Sequence, residues 1–359
     1  LKKPIIVISG INLTSGGILS ILIDCLTYLR KLTDQYDIIV LLNNKNLVGN
    51  LVNDFRFIEF PLSKKSWFIR CFYEYIYFYF FSKRIKPYLW LSLHDITPNV
   101  KTEKLAVYCH NPSPFYRVKH DELFLDKKFT LFTLFYKFLY KINIRKNNYV
   151  IVQQQWMRDF FKKMYKINNV IVASPKMNDV TIENKDRMNN TFIYPTFPRI
   201  FKNIELIGEA LERIDDVGIK VFVTIDGSEN AYAKKIVDRF KNTKSIVFIG
   251  LQNRKAVFDY YGKVDGLIFP SKLETWGLPI SEFSVTGKVI FAANLPYAHE
   301  TLAGYKKVKF FSPNDSKELA EVLEKFIAGR YLEFDYSEFK YDAPYAKDWN
   351  ELFDFLLRK

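Results

Sequence analysis

Residues 266–282 read GLIFPSKLETWGLPISE. The short apolar run GLIF, closed by a proline, predicts a buried strand over 266–269. Pro279 opens a helix, because proline lacks the N–H that a first helical turn leaves unpaired. Between them Gly277 lets the backbone turn close to a ligand. Read this way, the strand delivers Glu274 to its carboxyl edge and the helix carries Glu282.

The same rhythm extends in both directions. Toward the amino end, strands are predicted at 191–194, 220–224 and 245–250. Helices lie between them at 202–213, with Ile204, Ile207, Leu211 and Ile214 on one face, and at 256–261. Further back, residues 4–10 (PIIVISG) form a strand, followed by a loop with Gly16-Gly17 and a helix over 18–32. Strands at 37–42, 57–60, 89–93, 105–108 and 149–153 follow. Short apolar strands alternating with helices indicate parallel sheets covered on both faces. The polar stretch 178–190 interrupts the rhythm and is the linker candidate. The fold class is therefore α/β, with two Rossmann-like doubly wound domains facing across a cleft.

A chain of 359 residues suits two domains, and 48% apolar with 26% charged residues suits a globular protein. Aromatic residues reach 17%, and the net charge is +14. Residues 1–180 hold 27 Lys and Arg against 13 Asp and Glu, whereas 181–359 hold 26 of each. The amino half therefore faces something anionic: nucleic acid, an acidic polymer or a phospholipid surface. No helix-turn-helix, RRM or OB pattern supports nucleic acid. Cys25, Cys71 and Cys109 form no CxxC, and the four histidines have no ligand spacing, so a reducing cytoplasm and no metal are expected. The amino-terminal apolar run is too short for a signal-peptide core, and secretion is not expected.

No stretch offers 18 uncharged apolar residues. Two come close. Residues 63–81 are aromatic but interrupted by Lys64, Lys65, Arg70 and Glu74. In 123–142, Leu131, Leu134, Phe135, Phe138, Leu139 and Ile142 follow helical spacing, and Thr130, Thr133, Lys137 and Lys141 form a polar stripe. Such helices either lie in the headgroup layer of an anionic membrane or are buried with solvated lysine edges. The coincidence of aromatic and basic surplus favours the membrane.

The stretch ending in Glu274-Thr-Trp276-Gly277-Leu278-Pro279-Ile-Ser-Glu282, with seven residues between the two glutamates, resembles the retaining nucleotide-sugar glycosyltransferases of the two-domain GT-B type, in particular family 4. The resemblance implies a nucleoside diphosphate sugar as donor substrate and no cofactor. Glu274 then contacts the donor sugar, Glu282 the ribose hydroxyls, and the helix end at Gly277 and Leu278, next to Trp276, the diphosphate. It further implies that Gly16 and Gly17 close over the donor phosphates, that His110 lies near the donor sugar, and that Gly250 and Leu251 receive the base. His94-Asp95 is a weaker candidate. Lys202 matches the diphosphate-binding lysine. Its usual arginine partner is replaced by Phe197, with Arg199 as a shifted substitute. Residues 349–357 resemble a terminal helix crossing back to the first domain, giving domains 1–177 with 345–359, and 178–344.

The implied reaction retains the anomeric configuration and needs no metal, with Glu274, His110 and Lys202 as the catalytic set. The implied acceptor is a lipid-linked or surface polysaccharide, which places the protein in the cytoplasm, peripheral on the inner face of the cell membrane. A nucleotide-sugar 2-epimerase and a catalytically silent sugar-binding partner share the architecture.

Overall fold

The computed structural model describes residues 2–116, 127–174, 181–183, 186–214, 218–330 and 332–358. The start of the predicted amphipathic segment 123–142 and part of the linker candidate 178–190 lie outside the described residues.

In chain order the first elements are β1 (Ile5–Gly10), α1 (Gly16–Leu29), β2 (Asp37–Leu42), β3 (Arg56–Glu59), α2 (Trp67–Phe72), α3 (Phe78–Ile85), β4 (Leu89–Ser92), β5 (Lys104–Cys109), α4 (Lys127–Lys141), β6 (Tyr149–Val152), α5 (Gln155–Tyr165) and β7 (Val170–Ala173). The second run comprises β8 (Thr191–Tyr194), α6 (Ile204–Leu211), β9 (Lys220–Val223), α7 (Ala231–Phe240), β10 (Ile246–Phe248), α8 (Arg254–Lys263), β11 (Gly266–Phe269), α9 (Leu278–Ser284), β12 (Val289–Ala293), α10 (Pro296–Thr301), β13 (Val308–Phe311) and α11 (Ser316–Ile327). Two elements close the chain, β14 (Tyr345–Ala346) and α12 (Trp349–Leu357).

They build two parallel sheets. One has eight strands in the order β14-β7-β6-β5-β4-β1-β2-β3, the other six in the order β10-β9-β8-β11-β12-β13. The chain divides into two compact units: Leu1–Phe115 with Thr133–Lys176 and Tyr341–Lys359, and Tyr116–Phe132 with Met177–Lys340. Each sheet reverses its direction of growth once, between β1 and β4 and between β8 and β11. At such a switch point adjacent loops leave the strand ends toward opposite faces and open a crevice for a ligand.

In the amino-terminal unit, Ile6, Ile8, Val40, Leu42, Leu89 and Leu91 pack under α1. α12 belongs to the same core through Leu352, Phe353 and Leu356, and Phe353 stacks on Tyr28 at 5.3 Å. Four strands escape the sequence reading: β7, β12, β13 and β14. β7 is only four residues long, and β14 only two, paired to β7 through Tyr345 and Ala346. A two-residue strand such as β14 carries no periodicity to stand out.

The predicted helix within 63–81 is two helices joined by a π turn at Tyr73–Tyr77. Each aromatic segment is buried on one face only, through Phe78 in the first and Tyr136, Leu139 and Tyr140 in the second. Phe68, Phe72, Ile76 and Phe80 are exposed, as are Leu134, Phe135, Phe138 and Ile142 of the second segment. Among the described residues, no helix is long and apolar enough to cross a membrane.

Candidate active site

The β8–α6 connection carries Lys202 and the β11–α9 connection carries Glu274. These strands flank the second switch point, so residues 72 apart in sequence meet there. The Lys202 ammonium donates to Glu274 Oε1, and both side chains are largely but not wholly covered, at 17% and 14% exposure.

Backbone ties fix the pair. A short 3₁₀ turn, Ile200–Lys202, ends at Asn203 in the left-handed region, φ 57°. The Asn203 amide donates to the carbonyls of Pro270 (3.1 Å) and Pro313 (2.9 Å). Lys272 N–H donates to Phe201 O at 2.7 Å, and Tyr194 O–H to Lys202 O at 2.9 Å. The lysine also lies over the rings of Phe201 and Phe269, at 5.4 and 5.9 Å, where a cation is favoured.

Gly277 precedes α9 at φ 82°, a conformation that other residues adopt only with strain, and Pro279 sits in the first turn as expected. Trp276 faces inward: its indole N–H donates to Ser281 Oγ at 2.8 Å, while its carbonyl accepts from Thr301. Leu278 is exposed.

Glu282 lies in α9 and accepts from Arg254 at 2.9 Å. Burial pushes the Glu282 carboxyl up, and the Arg254 guanidinium partly opposes this. Sequence reasoning missed Arg254. The signal was its place at the first position of α8, directly behind the loop assigned to the base. In that loop Gly250 has φ 68°, and a Cβ there would come within 3.2 Å of Asp226 Oδ2. Leu251 projects into solvent, 66% exposed. Asp226 is a second missed residue; it accepts from Ser228 N–H at 2.9 Å, and hydrogen bonds from Ser228 hold its carboxyl below the usual range. The Arg199 guanidinium lies 5.3 Å from the centre of the Phe197 ring, so a cation does reach the side chain that replaces the expected arginine.

The amino-terminal unit places its candidates separately. Gly16 (φ 67°) and Gly17 open α1 directly beyond β1, with Ser15 preceding them in extended backbone. His110 is engaged on both ring nitrogens. Nε2 lies 2.8 Å from Leu93 O and therefore donates, and Nδ1 lies 3.4 Å from the Gln153 amide and accepts. Burial lowers its pKa, so the ring is neutral. Asp95, in the left-handed region at φ 74°, accepts from His110 N–H (2.6 Å), Asn111 N–H (3.0 Å) and Tyr140 O–H (2.8 Å). It is a loop staple.

His94 occupies the first switch point. Nε2 lies 3.0 Å from Ser9 Oγ and 3.3 Å from Glu74 Oε1, and Nδ1 accepts from Arg70 at 3.2 Å. Arg70 and Glu74 are both buried. Burial raises the Glu74 carboxyl to about 8 and pushes His94 well below its ordinary value.

Residues 176–342 match the profile of glycosyl transferases group 1. Over 251 residues the chain is 22% identical to the O-antigen chain mannosyltransferase RfbU of Salmonella typhimurium, covering 68% of this chain and 67% of that protein. A glycosyltransferase structure from Rickettsia africae superposes with a TM-score of 0.63 at 17% identity, over 92% of this chain and 89% of the other. Anabaena HepE in complex with UDP and glucose superposes with a TM-score of 0.61 at 15% identity, over 90% of each chain. The two parallel-sheet units thus have the GT-B fold, and the likenesses support a glycosyltransferase of that architecture.

Proposed function

We propose that the protein is a retaining hexosyltransferase that moves a sugar from a nucleoside diphosphate sugar to a hydroxyl of a lipid-linked or surface-polysaccharide acceptor. The observation that carries this reading is the Lys202–Glu274 pair at the switch point of the second sheet. A donor exchanges one ion pair for two contacts. The ammonium turns to the diphosphate, and the carboxylate accepts from the sugar hydroxyls. Negative charge grows on the phosphate oxygen as its bond to the anomeric carbon breaks, so a fixed ammonium favours the transition state over the ground state. That charge is the role a metal ion would otherwise fill. Partial burial lowers the screening and strengthens the effect.

Around this pair, Glu282 takes the ribose hydroxyls with Arg254 helping to keep it ionised. Gly250 and Leu251 border the base, and Arg199 adds a second cation. The turn at Trp276, Gly277 and Leu278 presents backbone N–H groups to the diphosphate. His110, neutral and engaged on both nitrogens, shapes the loop that follows β5. The acceptor oxygen bonds to the anomeric carbon as the bond to phosphate breaks, and the leaving phosphate accepts the hydroxyl proton; no covalent glycosyl-enzyme forms, because the family pattern offers no nucleophile on the required face. The likeness to an O-antigen chain mannosyltransferase supports the acceptor class. Such an acceptor places the protein at the cytoplasmic face of the membrane.

The test is transfer from a panel of nucleotide sugars to a lipid-linked acceptor in the presence of a chelator, with product configuration read by NMR. The donor's configuration is expected in the product. Inversion, or activity only with added Mg²⁺ or Mn²⁺, contradicts the reading. Epimer and free nucleotide released without acceptor indicate the epimerase, and donor binding with no turnover indicates a sugar-binding partner.

A further inference from the structure

The helices α2–α3 and α4 each leave a row of apolar side chains in the open. Along the first pair, Arg70, Glu74, Phe78 and Ser82 recur every fourth residue and are buried, while Phe68, Phe72, Ile76 and Phe80 recur every fourth residue and are exposed. The π turn at Tyr73–Tyr77 widens the helical repeat and keeps both rows in line. In α4 the covered side is Thr133, Tyr136, Leu139 and Tyr140, and the open side is Leu134, Phe135, Phe138 and Ile142. Phe68 is 88% exposed and Phe138 68%.

Neither helix can roll over to hide these rows. Arg70 is anchored to the His94 ring and to His94 O (3.0 Å), and its guanidinium lies 4.9 Å from the Trp67 ring centre. Tyr140 is held by Asp95. Trp67 in turn meets Phe135 and Tyr136 edge-on at 5.5 and 5.8 Å, which joins the two open rows into one apolar surface. A patch of this kind marks a docking site.

We propose that this surface docks on an anionic lipid bilayer, with Phe68, Phe72, Phe80 and Phe138 entering the headgroup layer. The inference deepens the lipid-linked acceptor class of the proposed function and rests on that reading for its purpose. Charge selects the occupant. Residues 127–146 contain no acidic residue, and 62–86 contain only Glu74, which is buried, whereas Lys64, Lys65, Lys83, Arg84, Lys86 and Lys141 are exposed. An apolar face rimmed by cations alone fits anionic headgroups above acyl chains. A second copy would bring the same cations against each other.

The experiment is flotation of the full chain with vesicles of phosphatidylcholine alone and of phosphatidylcholine with phosphatidylglycerol. Two variants accompany it: Phe68→Ser with Phe80→Ser and Phe138→Ser, and Lys83→Glu with Arg84→Glu and Lys141→Glu. All six side chains are exposed, so melting temperatures should hold. Wild type is expected to float with the anionic vesicles, less so in high salt, and each variant to bind at least about tenfold more weakly. Wild type that stays at the bottom of the gradient, or variants that float equally well, overturn the proposal. So does a wild-type dimer in light scattering that the serine variant abolishes. Thermal stabilisation by a nucleotide-sugar panel is measured in parallel. Stabilisation without flotation overturns the docking surface alone, and flotation without stabilisation by any member overturns the donor reading alone.

Discussion

Beyond β8 and β11, Lys202 and Glu274 meet at the edge of solvent beside the turn at Gly277; at the carboxyl ends of β1 and β4, Ser9, Ser92 and His94 are sealed beneath Arg70 and Glu74. The two crevices have the same topology and opposite contents. In the carboxyl-terminal unit the charges stay within reach of a ligand that can replace each partner. In the amino-terminal unit they are locked inside, where they hold an aromatic helix with its apolar row outward. A shared fold therefore supplies the crevice, and the side chains decide whether it binds or braces.

The comparison breaks first at Arg70. Arg70→Ala removes the donor to His94 Nδ1 and O and opens a cavity, and is expected to cost about 3–5 kcal/mol of stability in chemical denaturation. Loss of donor binding without loss of stability would place ligand chemistry in this crevice as well. Lys202→Ala should do the reverse. Turnover should fall about 10²–10³-fold, while stability falls by less than in the Arg70 variant because the pair lies at the edge of solvent and is not sealed. Glu282→Ala should weaken nucleotide and nucleotide sugar alike by about 1–3 kcal/mol in calorimetry; unchanged affinity for both removes the ribose role.

The smallest effect is a pH slope. Glu74 has its carboxyl raised from 4.5 to about 8, so between these values the folded protein holds a proton that the unfolded chain has released. Stability then falls as pH rises through this window. The lowered histidines, His94 and His110, act in the opposite sense, but only below their ordinary value of 6.5. From pH 6.5 to 8 Glu74 lowers stability by at most about 1.4 kcal/mol per pH unit, and Glu282, also raised by burial, acts in the same sense. Melting temperature should drop over that interval, and Glu74→Gln should flatten the drop.

Much of this was legible before any coordinates. The strand, glycine turn and proline-led helix of 266–282 carry their own local signals, and the alternation of strands and helices specifies parallel sheets. The pairing of Lys202 with Glu274 was not legible, because strand order brings the two loops together and no local pattern records strand order. Arg254 was hidden for the same reason. The amphipathic spacing of 123–142 was visible, but periodicity cannot say which face is buried. Tyr136, Leu139 and Tyr140 go inside, and the phenol of Tyr140 finds Asp95 there; Leu134, Phe135, Phe138 and Ile142, which hydropathy alone would bury, stay out.

The central claim is that the donor sits on the carboxyl-terminal unit at the Lys202–Glu274 crevice. Hydrogen–deuterium exchange of the full chain, with and without the nucleotide sugar that most raises its melting temperature, tests this directly. Protection is predicted at 199–203, 249–254 and 274–282. Protection confined to the amino-terminal unit, with these three segments unchanged, would contradict it.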